Sequence, residues 1–325
     1  MNNHKQIIFR LTALWALNES LLGGMLHAFK FPFTGILVGG FAVVLIGLIG
    51  FYSKNKWKDI LVATFMVMVT KMLASPFTPF AAYIAVAFQG LSGALIYMLI
   101  PKFRVAALVA AIIALVQSAI QKILILLLLF GKSLPQAIDA FVNGIMQLLH
   151  VNAGVEAAKW LAIGYVLLYL LVGIAIGSWL GNLPVRIVKL SESINLDAAT
   201  NSNSISMDAK RGNPYVKFIM IMLTAISIAA VLYITGKNQS VLYVLGRACL
   251  AIIFLFYLLP LLIKYLLTRI LKSDNAWAER INHLFAEMEE IKTTIPRALA
   301  QAGKGNPIAR YKRFAENLLV MVLFK

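Results

Sequence analysis

The sequence is poor in the residues that build disulfides and metal sites. It holds one cysteine, Cys249, and four histidines. A single cysteine gives no disulfide framework and no cysteine-rich metal site. No H-E-x-x-H or D-x-x-D spacing occurs, so neither a metal ligand set nor a metal-dependent catalytic centre is expected. No G-x-x-x-x-G-K-[ST] occurs either; Gly303-Lys304-Gly305-Asn306 follows no strand and is not a phosphate loop. If ATP drives this protein, another chain must hydrolyse it.

Acidic residues are scarce as well, 13 against 30 Lys and Arg, for a formal net charge of +17. What is abundant is apolar sequence: 61% hydrophobic residues, only 13% charged, and a mean hydropathy of +0.83. A soluble domain carries about a quarter charged residues. A polytopic, all-α membrane protein is therefore expected. Residues 1–10 are basic, but the run after them continues to about Phe29 without a small-residue cleavage site, so no cleavable signal peptide is expected.

A spanning helix needs about 20 apolar residues, and about eight such runs are present, at 7–29, 33–52, 59–75, 79–100, 104–130, 157–181, 215–235 and 241–268. With the N-terminus inside, the inner loops hold Lys5, Arg10, Lys54, Lys56, Lys58, Lys102, Arg104, Arg186, Lys189, Lys210, Arg211 and Lys217. The outer loops hold only Lys30, Lys132, Lys159 and Lys237. The positive-inside rule then places both termini inside, in a cytoplasmic (inner) membrane. The basic balance is thus a topology signal, helped by anionic lipid, rather than a nucleic-acid footprint.

The expected organisation is a six-helix substrate-binding membrane domain over 1–182 and a cytosolic linker over 183–214. A two-helix membrane segment follows over 215–271, then cytosolic coupling helices over 272–325. Within the first domain, Lys132 to Val151 is too short and polar to span; its helical apolar spacing (Ile138, Phe141, Val142, Ile145, Leu148, Leu149) predicts an amphipathic outer helix. Pro32-Phe33-Thr34-Gly35 and Pro76-Phe77-Thr78-Pro79 repeat before two spans. Each reads as a helix start whose threonine caps free amides, or as paired outer loops at a substrate mouth. In the tail, Trp277, Ile281, Leu284, Phe285, Met288, Ile291 and Ile295 form one apolar stripe from Asn275 onward. Pro296 is expected to end or kink that helix, and a second helix follows the Gly303–Pro307 breaker.

Ionisable groups inside spans are expensive and mark function unless they only pair. Here the candidates for substrate binding are Glu19, His27, Lys71 and Lys122, with Tyr83, Gln89, Gln117, Gln121 and Asn143 as neutral companions. In the expected topology His27, Lys71, Tyr83, Gln121, Lys122 and Asn143 lie toward the outside, and Glu19, Gln89 and Gln117 near mid-membrane. Together they predict a polar cavity opening outward. Glu19, Gly23 and His27 are spaced to share one helix face. The alternative for Glu19 is a buried pair with Lys71 or Lys122 that fixes packing. Two lysines and a histidine against one glutamate hint at an anionic substrate. Ala13, Ala16, Ser20 and Gly24 make a small-residue seam suited to close helix approach.

Several stretches resemble the membrane parts of energy-coupling factor (ECF) type ABC importers. The first 180 residues are similar to a substrate-binding S-component in their six spans and in TALWALNESLLGGMLHAFKFPFTGILVGGF and ASPFTPFAAYIAVAFQG. The resemblance implies uptake of a vitamin or similar micronutrient from outside. It implies that Ala13 and Ala16 face a coupling subunit, although their spacing is not A-x-x-x-A. Arg297 in P-R-A and Arg310 in A-R-Y match the coupling arginines of a T-component, which dock on ABC-type ATPase subunits. The partners implied are those ATPases with their ATP and Mg, and a separate T-component if residues 215–325 do not replace one. No cofactor is expected in this chain itself. The M-H-I-P-D-G motif of the metal-importing relatives is absent.

Other classes stay open. Gly90-Leu91-Ser92-Gly93 matches the G-x-S-G of rhomboid proteases, but no histidine occurs between His150 and His283 to activate the serine, so no enzyme is expected. A stand-alone secondary transporter with Glu19 as its coupling acid is the alternative, and a non-transport scaffold the third reading.

Overall fold

The computed structural model describes residues 3–28, 33–74, 78, 80–131, 133–148, 156–193, 275–303 and 306–324. Among them the architecture is all-helical, with no strand. Helix α1 (Asn3–Leu17) runs through a π-helical turn (Asn18–Leu22) into α2 (Gly23–Ala28). A second π-helical turn (Gly35–Gly39) leads into α3 (Gly40–Tyr52). Then come α4 (Lys56–Ala74), α5 (Phe80–Leu99), α6 (Phe103–Phe130), α7 (Ser133–Leu148), α8 (Ala157–Leu180) and α9 (Leu183–Ser193). The C-terminal pair is α10 (Asn275–Gln301) and α11 (Pro307–Leu323).

Among the described residues, four helices are long and apolar enough to cross a membrane: Gly35–Tyr52, Phe80–Leu99, Phe103–Leu128 and Ala157–Leu180. The expected spans at 7–29 and 59–75 are helical but less apolar. The first carries Arg10, Asn18 and Glu19, and the second carries Asp59 and Lys71. The expected spans at 215–235 and 241–268 lie outside the described residues. The exterior fits a bilayer. On α5, Ile84, Phe88, Leu91, Leu95 and Met98 form one exposed stripe, and on α8 Trp160, Leu161, Leu167, Leu168 and Leu171 do the same. Continuous apolar surface of this extent is stable against lipid and not against water.

Helix α3 is the hub. It is buried almost throughout and packs against α1, α4, α5, α6 and α8. Glycine sets how closely the helices meet around it. A Cβ on Gly93 would lie 2.6 Å from Ile46 of α3, and one on Gly90 only 2.1 Å from the Thr64 hydroxyl of α4. The G-x-S-G match is thereby explained as helix packing, and the Ser92 hydroxyl donates to the Phe88 carbonyl of its own helix at 2.6 Å. Gly173 and Gly177 of α8 lie directly on the backbone of α6, opposite Ala107 and Ala111. Small residues on both sides let the two backbones touch, which is the main source of helix association in lipid.

The structure departs from the sequence reading at several places. The stretch taken as the start of a linker begins with an ordered helix, α9, because Leu183 and Ile187 bury one face in the core. Thr34 takes helical angles and makes no cap bond with its side chain. Helix α7, by contrast, forms where the apolar spacing predicts an amphipathic helix, with Phe141 70% exposed, and its Asp139 carboxylate accepts from the Ala158 amide at the start of α8. Pro296 sits inside α10 rather than ending it. The loss of one backbone bond is offset by packing beyond it, where Ala298 and Ala302 are fully buried. The helix stops at Gly303, whose φ of +67° is open to glycine without strain.

The α10–α11 pair folds back on the bundle. Ile281, Leu284, Met288 and Ile291 are buried in the same core as α1 and α4, and the Phe65 ring meets Trp277 edge-on. Polar contacts fix the position: Arg10 pairs with Glu287 at 3.3 Å and donates to the Val322 carbonyl at 3.4 Å. Across α11, Glu316 accepts from the Trp179 indole at 3.1 Å. Leu284→Ala removes a fully buried side chain from this contact. It is expected to destabilise the docked pair by about 2–5 kcal/mol, seen as faster proteolysis between 275 and 324. Unchanged cleavage would mean that the polar contacts alone hold the pair in place.

Candidate functional site: a buried polar cluster between two π-helical turns

The two π-helical turns lie side by side. In the first, the Gly23 amide donates to the Asn18 carbonyl five residues back. Such turns add a residue to the helix and recur at functional positions. The Asn18 side-chain amide donates to the Val38 carbonyl of the second turn at 3.0 Å, and both groups are buried. The spacing that placed Glu19, Gly23 and His27 on a single face presumes an unbroken α-helix, which this turn interrupts.

Glu19 sits in the first turn and reaches α4. Its Oε2 accepts from the Lys71 Nζ at 2.6 Å, and the two side chains are 4% and 2% exposed. Burial in the bundle makes each charge costly alone, and the direct contact offsets that cost. The Tyr83 ring of α5 lies 5.9 Å from the same Nζ, close enough for cation–π attraction. Tyr83 is itself buried and hydrogen-bonds Thr78, one of the two threonines of the repeated Pro-Phe-Thr motif.

Gln89 of α5 approaches from the other side. It is 3% exposed, and its amide nitrogen would stand 2.9 Å from a Cβ on Gly39 of the second π turn. A methyl there would make the Gln89 amide shift. Its Oε1 has no hydrogen-bond partner among the described residues. The same glycine faces Ser118 of α6, and Gly35 faces the Tyr169 hydroxyl. Tyr169 shares a 2.9 Å hydrogen bond with Tyr165. Gln117 donates to Gln121 at 2.9 Å, and Gln121 donates to the Ala81 carbonyl at 2.5 Å, tying α6 to the first turn of α5.

The structure therefore brings Glu19, Lys71 and Tyr83 together, with Gln89 buried against the adjoining second π turn and Gln117 and Gln121 on α6. Glu19, Lys71, Tyr83 and Gln89 are buried, whereas Gln117 and Gln121 are half-buried. Lys122 is exposed on α6 and does not join them. With Lys71 neutralised by Glu19 and Lys122 elsewhere, the excess positive charge that hinted at an anionic substrate is not gathered at this cluster. Asn143 is half-buried on α7, which packs against α6 and α8, and His27 lies in α2. Among the described residues no group of histidine, cysteine or carboxylate side chains is placed to hold a metal. The notch at the α6–α7 corner, about 400 Å³ and lined by Leu127, Gly131, Pro135 and Gln136, touches none of these residues.

Ala13 and Ala16 are fully buried by this chain itself. They offer no free seam for a separate coupling subunit in this conformation, since α1 packs on α3, α4, α10 and α11. Arg310 is exposed at the start of α11, and Arg297 is half-buried on α10. The residues missed from sequence are Asn18, Ser118, Tyr165 and Tyr169. Asn18 carried a usable signal, an amide beside Glu19 in an apolar run. The π turn that makes it a bridge carried none.

Together the apolar helices and the buried polar cluster define a membrane-embedded helical protein. No family model, curated protein or solved structure matches the chain.

Proposed function

We propose that this chain is the substrate-binding membrane subunit of an ECF-type ABC importer. In that reading residues 1–182 take a vitamin or similar micronutrient from outside. Residues 215–325 act as a T-component-like extension, and separate ATPases supply ATP and Mg. The observation that supports it most is the separation of two features along one helix. Glu19 of the polar cluster lies beyond the end of α1, whereas Arg10, on α1 itself, is clasped by the C-terminal pair bearing Arg297 and Arg310. A binding element and a candidate push-point thus share a rod. The reading places the protein in the inner membrane with both termini inside.

The combined variant Arg297→Glu/Arg310→Glu tests it. ATPase subunits are expected to co-purify with the wild type and to be lost from the variant, with uptake falling at least about tenfold, as befits reversing two interfacial charges. Uptake that survives the change sinks the ATPase coupling. Mass spectrometry of the small molecule carried by the purified chain reads the other half of the proposal. The buried Glu19–Lys71 pair favours a second reading, a gradient-driven carrier with Glu19 as the coupling acid. That carrier would transport in liposomes with this chain alone and stop on Glu19→Gln.

A further inference from the structure

The membrane span α8 ends at Leu180, and only Gly181 and Asn182 separate it from α9. Helix α9 therefore starts at the membrane boundary. It buries Leu183 and Ile187, while Val185 is 59% and Val188 48% exposed. Exposed valines on a helix that already has a buried face are unfavourable in water and favourable against acyl chains. Arg186 and Lys189 are exposed between and beside them. The first turn of α6 reaches the same corner. A Cβ on Gly181 would lie 3.3 Å from Arg104 Cγ and 3.4 Å from its Cα, so Arg104 packs directly on the α8–α9 turn, with Lys102 exposed two residues earlier. Among the described residues, the acidic groups on the elements bearing or pairing with these cations are Glu316 and Glu192. Glu316 is already shared between the Trp179 indole at 3.1 Å and Arg186 at 3.6 Å, and Glu192 lies in the last turn of α9.

From this geometry we propose that the corner formed by α9 and the first turn of α6 is a binding site for an anionic phospholipid. The headgroup phosphate meets Lys102, Arg104, Arg186 and Lys189. The acyl chains cover Val185 and Val188. Lipid rather than free phosphate is the occupant because the exposed valines sit on the helix that directly follows the membrane span α8, whose Leu171 and Ile174 also face outward. This inference is independent of any transport reading.

The test uses the full chain, delipidated in mild detergent, with thermal stability and native mass spectrometry as readouts. Phosphatidylglycerol is expected to raise the unfolding temperature and to stay bound, while phosphatidylcholine and inorganic phosphate do neither. Each basic group at an anionic lipid surface contributes about fivefold in affinity, so Arg186→Gln/Lys189→Gln should weaken phosphatidylglycerol binding by roughly 30-fold. Lys102→Gln/Lys189→Gln, which leaves the Arg186–Glu316 contact in place, should do the same if the first variant is unstable. Equal retention by both variants overturns the site. Equal stabilisation by phosphatidylcholine overturns its charge selectivity, and stabilisation by inorganic phosphate alone makes it a free-anion site. A Val188→Cys thiol that resists maleimide in lipid-free detergent also overturns it, because other residues of this chain would then cover the face.

Discussion

Lys71→Met is expected to destabilise the protein severely, by about 3–5 kcal/mol, because it strands the Glu19 carboxylate in the interior. The lysine is 2% exposed and gives that carboxylate its only charged partner among the described residues, at 2.6 Å. Glu19→Gln should cost a similar amount for the mirror reason, an ammonium left without its counter-charge. The double variant Glu19→Gln/Lys71→Met should recover much of the loss, since neither charge then remains to be solvated. Thermal unfolding of the four proteins in one detergent gives the coupling directly. If the two single losses simply add up in the double variant, the side chains do not interact energetically and the cluster is not organised around them. The same set separates structure from chemistry. A double variant that is stable yet loses bound ligand would assign the pair to binding, whereas one that keeps ligand would leave the pair a packing device.

Gly177→Ala is the second substitution with a large expected effect. Its new methyl would sit 2.7 Å from the Leu108 Cα and 3.0 Å from the Ala107 carbonyl oxygen. Both are backbone atoms of α6, so no side-chain rotation relieves the clash and the helices must separate. Overpacking of this kind destabilises by about 1–3 kcal/mol, and Gly177→Leu by more. Gly164→Ala, on the same helix but with nothing within 4 Å of the new methyl, is the control. There the better helix former should be neutral or stabilising by up to about 1 kcal/mol. Unfolding temperatures that match for the two alanine variants would show that α6 and α8 do not approach as closely as drawn. Prying these helices apart should also loosen Tyr169, which stands against Gly35 and the second π turn. The polar cluster is thus supported from α8 although α8 gives it no charge.

How much of the site was legible in the sequence differs residue by residue. Glu19 and Lys71 were visible as charges in apolar runs, because the penalty for burying a charge depends on residue type alone. Which lysine meets Glu19 was not. Which of Lys71 and Lys122 faces inward depends on how α4 and α6 are seated, and glycine contacts such as Gly90 against Thr64 of α4 and Gly177 against the α6 backbone hold those seats. The seam at Ala13 and Ala16 shows the same limit. Small residues announce close helix approach without saying to what. Here the surroundings are this chain's own helices.

What the sequence by itself determined is the all-helical, membrane-embedded character and the approximate positions of most of the described helices. Apolar runs and amphipathic spacing act over a few turns, so local composition is enough to place them, whereas the expected cap at Thr34 and stop at Pro296 gave way to tertiary packing. Only the tertiary structure decided that two π-helical turns meet through Asn18 and Val38, and that Lys71 rather than Lys122 neutralises Glu19. It alone folded α10 and α11 back onto α1. Those outcomes depend on contacts between residues far apart in the chain, such as Arg10 with Glu287 and Trp179 with Glu316. No periodicity encodes such pairings; they follow from the close packing of helix surfaces, where one extra residue in a turn or one missing methyl changes which side chains meet.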